Sequence, residues 1–162
     1  MLNLNNRLKV RKRPMLQGVA KVKGNKNFPN LKGTIRFFEK GNGTIIRLEL
    51  NGLPNINKNN FFGFHIHEFG ICSGANEEES FLEAGAHFDL EENKHPNHTG
   101  DLPSIYSNNG YSYMEFYTNR FCVSDVIGKS VIIHEKMDDF TSEPSGQSGK
   151  RIACGVIEKY IM

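Results

Sequence analysis

Residues 33–54 read GTIRFFEKGNGTIIRLELNGLP. Two β-rich runs, Thr34–Glu39 and Thr44–Leu50, flank the tetrapeptide KGNG at 40–43. β-Branched and aromatic residues suit a pleated, half-buried surface. Glycine supplies the positive φ that a tight hairpin connection needs. The stretch therefore predicts a β-hairpin, and the same pattern recurs outward from it. FFGFHIHEFG (61–70), SVIIHE (130–135) and RIACGVIEKYI (151–161) read as strands. GYSYMEFYT (110–118) sets Tyr111, Tyr113 and Glu115 on one face against Ser112, Met114 and Phe116 on the other. GVAKVKG (18–24) is a weaker strand, without clean alternation. No long helical period is visible. Short strands separated by Gly/Asn/Pro turns predict an all-β sandwich or barrel.

The chain has 162 residues, which fits one domain. Its 20 Lys+Arg nearly balance 18 Asp+Glu, so the net charge of +2 points to no nucleic-acid partner. The basic residues cluster in KVRKRP (9–14), read as part of a solvated, flexible N-terminal extension over 1–16 ahead of a barrel domain over 17–162. No segment approaches the roughly 18 apolar residues of a membrane-spanning helix. The first residues lack the apolar core of a secretory signal. The expectation is an intracellular, cytoplasmic protein with no membrane partner. Cys72, Cys122 and Cys154 are odd in number, so at least one is unpaired within a monomer. The cytosolic default is three thiols. Two stretches, 70–109 and 135–150, are long and non-repetitive, and such loops in a compact domain are usually functional or disordered.

Six histidines carry the chemistry. His65 and His67 form an H-x-H pair on a strand, where side chains at i and i+2 share a face and can reach one ion. Alone, the pair is weak evidence and reads more readily as two half-exposed polar strand residues. The stretch GAHFDLEENKHPNHTGD (85–101) holds His87, His95 and His98 and ends on Asp101. Three residues of extended chain span about 10 Å at most, so a bent HPNH can present both histidines to one ion. Three histidines and a carboxylate make a full tetrahedral zinc set; the competing reading is a polar surface loop. His134 ends the apolar run SVII, where a lone histidine is ordinarily a core or edge residue.

Taken together, GFHIHEFG (63–70), AGAHFD (84–89), HTGDLP (98–103), GKSVIIHEKMDDF (128–140) and PSGQSGKRIACGVI (144–157) resemble the copper/zinc superoxide dismutase family, in that family's order. The resemblance implies a Greek-key β-barrel of about eight antiparallel strands with two long functional loops, and a homodimer. It implies copper on His65, His67, His87 and His134, and zinc on His87, His95, His98 and Asp101, with His87 bridging. It makes Asp138 the carboxylate linking a copper histidine to a zinc histidine, Arg151 the active-site arginine, and Cys72–Cys154 a disulfide. Cys122 would then be free, as a small buried side chain. The implied activity is disproportionation of superoxide, with copper cycling between Cu(II) and Cu(I), zinc ordering the loop, and His87 releasing copper and carrying a proton in the reduced state. The alternative on the same fold is a non-enzymatic copper-carrying or zinc-only protein.

The chain also departs from typical members. The His95–His98 interval is several residues shorter. Cys72 lies closer to HEFG, and an acidic segment with Glu77, Glu78, Glu79 and Glu83 follows it, in the region that helps form the family's dimer contact. The loop 135–150 is short, so attraction of an anionic substrate would rest more on Arg151, Lys136 and Lys150.

Overall fold

The computed structural model describes residues 15–56 and 58–161. The basic stretch at 9–14 lies outside the described residues. Among the described residues nine strands follow in chain order: β1 (Met15–Gly24), β2 (Lys32–Lys40), β3 (Gly43–Asn51), β4 (Phe61–Phe62), β5 (Phe64–His67), β6 (Ile105–Tyr106), β7 (Tyr111–Thr118), β8 (Ser130–His134) and β9 (Arg151–Lys159). The helical parts are α1 (Val123–Val126) and a 3-10 turn at Leu82–Ala84. None of the described helices is long and apolar enough to cross a membrane. β1 begins at Met15, so its first two residues precede position 17, where the barrel domain is expected to start.

Seven strands form one curled antiparallel sheet in the order β5-β8-β9-β1-β2-β3-β7, and β4 pairs with β6. The last strand returns to lie between β8 and β1, the long-range return of a Greek key. The expected all-β barrel architecture is therefore present, as a half-barrel. FFGFHIHEFG is two strands rather than one: Phe61 and Phe62 pair with β6, while Phe64–His67 pair with β8.

The hairpin at 33–54 forms as its sequence predicts. β2 and β3 pair from Lys32↔Asn51 to Lys40↔Gly43. The positive φ (+61°) falls on Gly41, the first of two loop residues, where a II′ hairpin puts glycine. Alternation sends Ile35, Phe37, Ile46, Leu48 and Leu50 into the core, all fully buried. Each such side chain contributes about 1.5–3 kcal/mol by leaving water. On β7, Ser112 faces inward while Tyr111, Tyr113 and Glu115 face solvent, as read. β1 was the weak case in sequence because its inward residues are Gly18, Ala20 and Val22. Small side chains give little hydrophobic signal, yet the strand sits inside the sheet between β9 and β2.

A second buried cluster of Phe81, Ala84, Ile132 and Cys154, with Cys72 and Ala75 packed on it, ties the loop after β5 to the sheet. Cys72 and Cys154 form a disulfide across a sequence separation of 82. Cys122 is free, as expected, but it is only partly buried. It sits just before α1, where its main-chain N–H donates to the Asp125 carboxylate (2.8 Å), and helix starts lie near the surface.

A closed loop of this length contributes about 4–5 kcal/mol in the chain-entropy model, as an upper figure. Cys72→Ser is expected to lower the unfolding free energy by about 2–4 kcal/mol. Urea unfolding of the variant and of wild type, with and without reductant, checks this. Equal stability of all four samples would show that the crosslink does not hold the loop.

Candidate metal centre

β5 is the end strand of the sheet, and alternation divides its side chains. Phe64 and Ile66 enter the main core. His65 and His67 project from the opposite face. An end strand leaves one row of main-chain groups unpaired, and the loop at 86–101 takes that row. Ile66 donates to the Gly100 carbonyl (2.9 Å), Phe88 donates to the Ile66 carbonyl (2.8 Å), and Glu68 donates to Ala86 (3.1 Å). The result is strand-like bridging of His67 to His87 and of His65 to Asp101. His134 reaches the same place from β8, its N–H donating to the Gly63 carbonyl (2.9 Å).

Two four-residue clusters result. In each, one ligand atom per residue lies within 4.8 Å of the others: His65, His67, His87 and His134 in the first, and His87, His95, His98 and Asp101 in the second. His87 belongs to both. All are buried except His98, which is partly buried. A third cluster of His95, Asp138 and Asp139 is equally close, but there His95 Nε2 and Asp138 Oδ1 are bonded to each other at 2.9 Å.

The hydrogen bonds select which nitrogen of each ring is left over. His67 Nδ1 lies 3.0 Å from the Gly85 carbonyl, and His134 Nδ1 lies 3.2 Å from the Gly149 carbonyl. A carbonyl only accepts, so each Nδ1 carries the proton and each Nε2 presents a lone pair. The two Nε2 atoms are 3.4 Å apart. His65 Nε2 is 2.7 Å from Asp138 Oδ2, leaving its buried Nδ1 without a hydrogen-bond partner among the described residues. His87 Nδ1 is 2.7 Å from Asp101 Oδ1, and its buried Nε2 has no hydrogen-bond partner among the described residues. On the second side, His95 Nδ1 and His98 Nδ1 each lie 3.1 Å from Asp101 Oδ2. Metal-binding histidines commonly give their other nitrogen to a carboxylate or carbonyl. An orphaned buried polar atom costs about 1–3 kcal/mol, so converging orphans fit cations. Four nitrogens suit copper, and three nitrogens with a carboxylate suit zinc.

Electrostatics agree. Burial, then the neighbouring histidines, hold His65, His67 and His134 well below the usual histidine range. They stay neutral, as ligands must. Burial pushes the Asp101 carboxyl upward, but its hydrogen bond to His87 and the facing histidines outweigh that and leave it lower than usual.

Asp138 joins the two sides by taking His65 and His95 on its two oxygens. Gly146, at φ +65°, crosses it so closely that a Cβ would lie 2.0 Å from Oδ1. Arg151 opens β9; its guanidinium donates to the carbonyls of Phe81 and Gly85, each at 2.7 Å. The Gly85 carbonyl thus serves both Arg151 and His67. A cavity of about 290 Å³ beside Arg151 is lined also by Glu79, Leu82, Glu135, Gly149 and Lys150. Lys150 is therefore at this mouth, while Lys136 is exposed and not part of its lining. Sequence reasoning did not single out Asp89, Arg120 or the Gly85 and Gly149 carbonyls.

The chain matches the family model for copper/zinc superoxide dismutase (SODC) over residues 31–157. It is 34% identical over 140 residues to superoxide dismutase (Cu-Zn) 2 of Aquifex aeolicus, covering 77% of this chain and 78% of that one. It is 30% identical over 144 residues to superoxide dismutase (Cu-Zn) A of Xenopus laevis, covering 79% and 89%. With superoxide dismutase (Cu-Zn) 4 of Dictyostelium discoideum the identity is 31% over 161 residues, covering 90% and 99%.

The depressed histidines predict a pH dependence. The unfolded chain takes up their protons near pH 6.5, the folded chain only at lower pH. Their contribution to stability is complete above about pH 6.5 and is lost as pH falls below it. The metal-free protein should therefore lose up to about 1.4 kcal/mol per pH unit for each such histidine between about pH 6.5 and 5. Urea unfolding at several pH values measures the slope, and a flat profile contradicts it.

Proposed function

Because this chain belongs to the copper/zinc superoxide dismutase family, we propose that it disproportionates superoxide, two anions and two protons giving one dioxygen and one hydrogen peroxide. The residues that would hold copper are His65, His67, His87 and His134; those for zinc are His87, His95, His98 and Asp101. The observation that carries this reading is the shared position of His87, whose two nitrogens face two different ligand clusters. When bound, copper supplies the reversible one-electron couple and zinc a redox-inert charge that orders the loop.

The protein's own residues do the rest. Superoxide is a small anion, and Arg151 is a permanent cation with several donors. Two of its guanidinium nitrogens are spent on the Phe81 and Gly85 carbonyls, which fixes the group in place. Its shared anchor on Gly85 sets it relative to His67 Nδ1. The guanidinium can therefore attract and orient the substrate beside the four-histidine cluster. Burial of His65, His67 and His134 keeps water and competing protons away from their lone pairs. His87 Nε2, buried and unpartnered, is the atom at which the chain can hold a proton for the nascent peroxide. Asp138 keeps the rings of His65 and His95 in fixed orientation. Homodimeric assembly belongs to the same proposal and rests on the family resemblance.

The test is superoxide decay catalysed by the purified protein after loading with copper and zinc. We expect a fast, copper-dependent rate that falls with added salt. Arg151→Gln should lower it by at least about 10-fold, within the range that electrostatic guidance supplies, and Arg151→Lys by less. No catalysis despite bound copper would sink the enzyme reading and leave a copper-carrying protein.

A further inference from the structure

Arg120 lies two residues beyond β7, in the connection to α1, with its side chain against the loop at 95–101. A single nitrogen, Nη1, donates to three carbonyls of that loop: Pro96 (3.0 Å), His98 (2.8 Å) and Asp101 (3.2 Å). Two of these belong to candidate zinc ligands, and the third lies between His95 and His98.

The loop needs such support. Its neck is closed by Asp89, whose carboxylate accepts from the N–H of Leu90 (3.0 Å) and from the N–H and hydroxyl of Thr99 (both 3.0 Å). Beyond the neck, Ile66 pins Gly100 to β5. The segment carrying His95 and His98 is too short to pair with a strand, and its own main-chain bonds are two short turns, Asn97 to Lys94 and Asp101 to His98. His98 is also the least enclosed of the second cluster: its side chain is 15% exposed against 0% for His95. Its main-chain N–H is held by Asp101 Oδ2 (2.9 Å), and its carbonyl by Arg120. His95 is fully enclosed and its ring is also held by Asp138 (2.9 Å), whereas His98 relies on Asp101 and on the bonds to its main chain.

We infer that Arg120 is a positioning residue for the zinc site. Its guanidinium draws three carbonyls of the short loop to one point outside the cluster, and so turns the His98 and Asp101 side chains toward His87 and His95. The charge faces the carbonyls, which an arginine can serve from the surface without becoming buried. Arg120 is largely exposed, so its removal opens no hole in the core. This inference rests on the zinc assignment made under Proposed function.

The experiment is equilibrium competition for zinc against a chromophoric chelator, on the full chain, for wild type, Arg120→Ala and Arg120→Lys. Co(II) absorption in the same site and copper affinity are measured alongside. Residues that orient ligands typically change metal affinity by about 10–100-fold. R120A should bind zinc more weakly by that factor and show an altered Co(II) spectrum. R120K should recover part, since an ammonium can reach the same carbonyls without the planar fork. Copper affinity and the melting temperature of the metal-free protein should stay at wild-type values. Unchanged zinc affinity in R120A overturns the inference. So does a parallel loss at both sites with a lower melting temperature, which marks a general structural role. If wild type itself binds no zinc, the zinc assignment fails and this inference falls with it.

Discussion

Ile66 places both of its main-chain groups on the loop that covers β5, donating to Gly100 and accepting from Phe88. Its side chain is meanwhile fully buried in the main core. The residue sits between His65 and His67, while Phe88 adjoins His87 and Gly100 adjoins Asp101. One pair of hydrogen bonds therefore sets the register between two halves of the centre. A strand has a period of two, so a slip of one residue would exchange core and site faces. The hydrophobic demand for Phe64 and Ile66 inside the barrel thus also fixes where the imidazoles point.

That register brings many imidazoles into a small buried volume, an arrangement that water would oppose if the rings became charged. The fold meets the difficulty group by group. Carbonyls of Gly85 and Gly149 take one nitrogen each from His67 and His134. Asp138 takes one each from His65 and His95. What remains are lone pairs aimed inward, and burial keeps His65, His67 and His134 neutral. The same partners couple the parts: Gly85 joins His67 to Arg151, and Asp138 joins the two clusters across the loop that Gly146 closes.

Much of this was legible in the sequence, for physical reasons. Strands with large alternating side chains, such as β2, β3 and β7, show themselves because burial on one face demands the alternation. β1 hid because its inward side chains are small, although it lies inside the sheet. The histidines were visible as a set because imidazole is uncommon and its spacing on a strand is meaningful. The set of His87, His95, His98 and Asp101 could be read from spacing, but joining His87 to His65, His67 and His134 needed the family resemblance, since separation in sequence says little about approach in space. The same holds for Cys72–Cys154: three cysteines allow three pairings, and a cytosolic prior argues for none. Main-chain carbonyl partners could not be read at all, because every residue has one. Arg120 was equally silent, since an exposed arginine after a strand is ordinary until its three acceptors are seen. Cys122 was expected to be buried, and its place ahead of α1 leaves it partly exposed.

The central claim is that His87 serves two ions at once through its two ring nitrogens. Electron paramagnetic resonance of the protein loaded with Cu(II), before and after Co(II) is added to the second cluster, tests this directly. A shared imidazole couples the two spins, so the copper signal should vanish as cobalt fills its site. A copper signal that persists unchanged at full cobalt occupancy would contradict the bridge, and with it the assignment of one histidine to both sites.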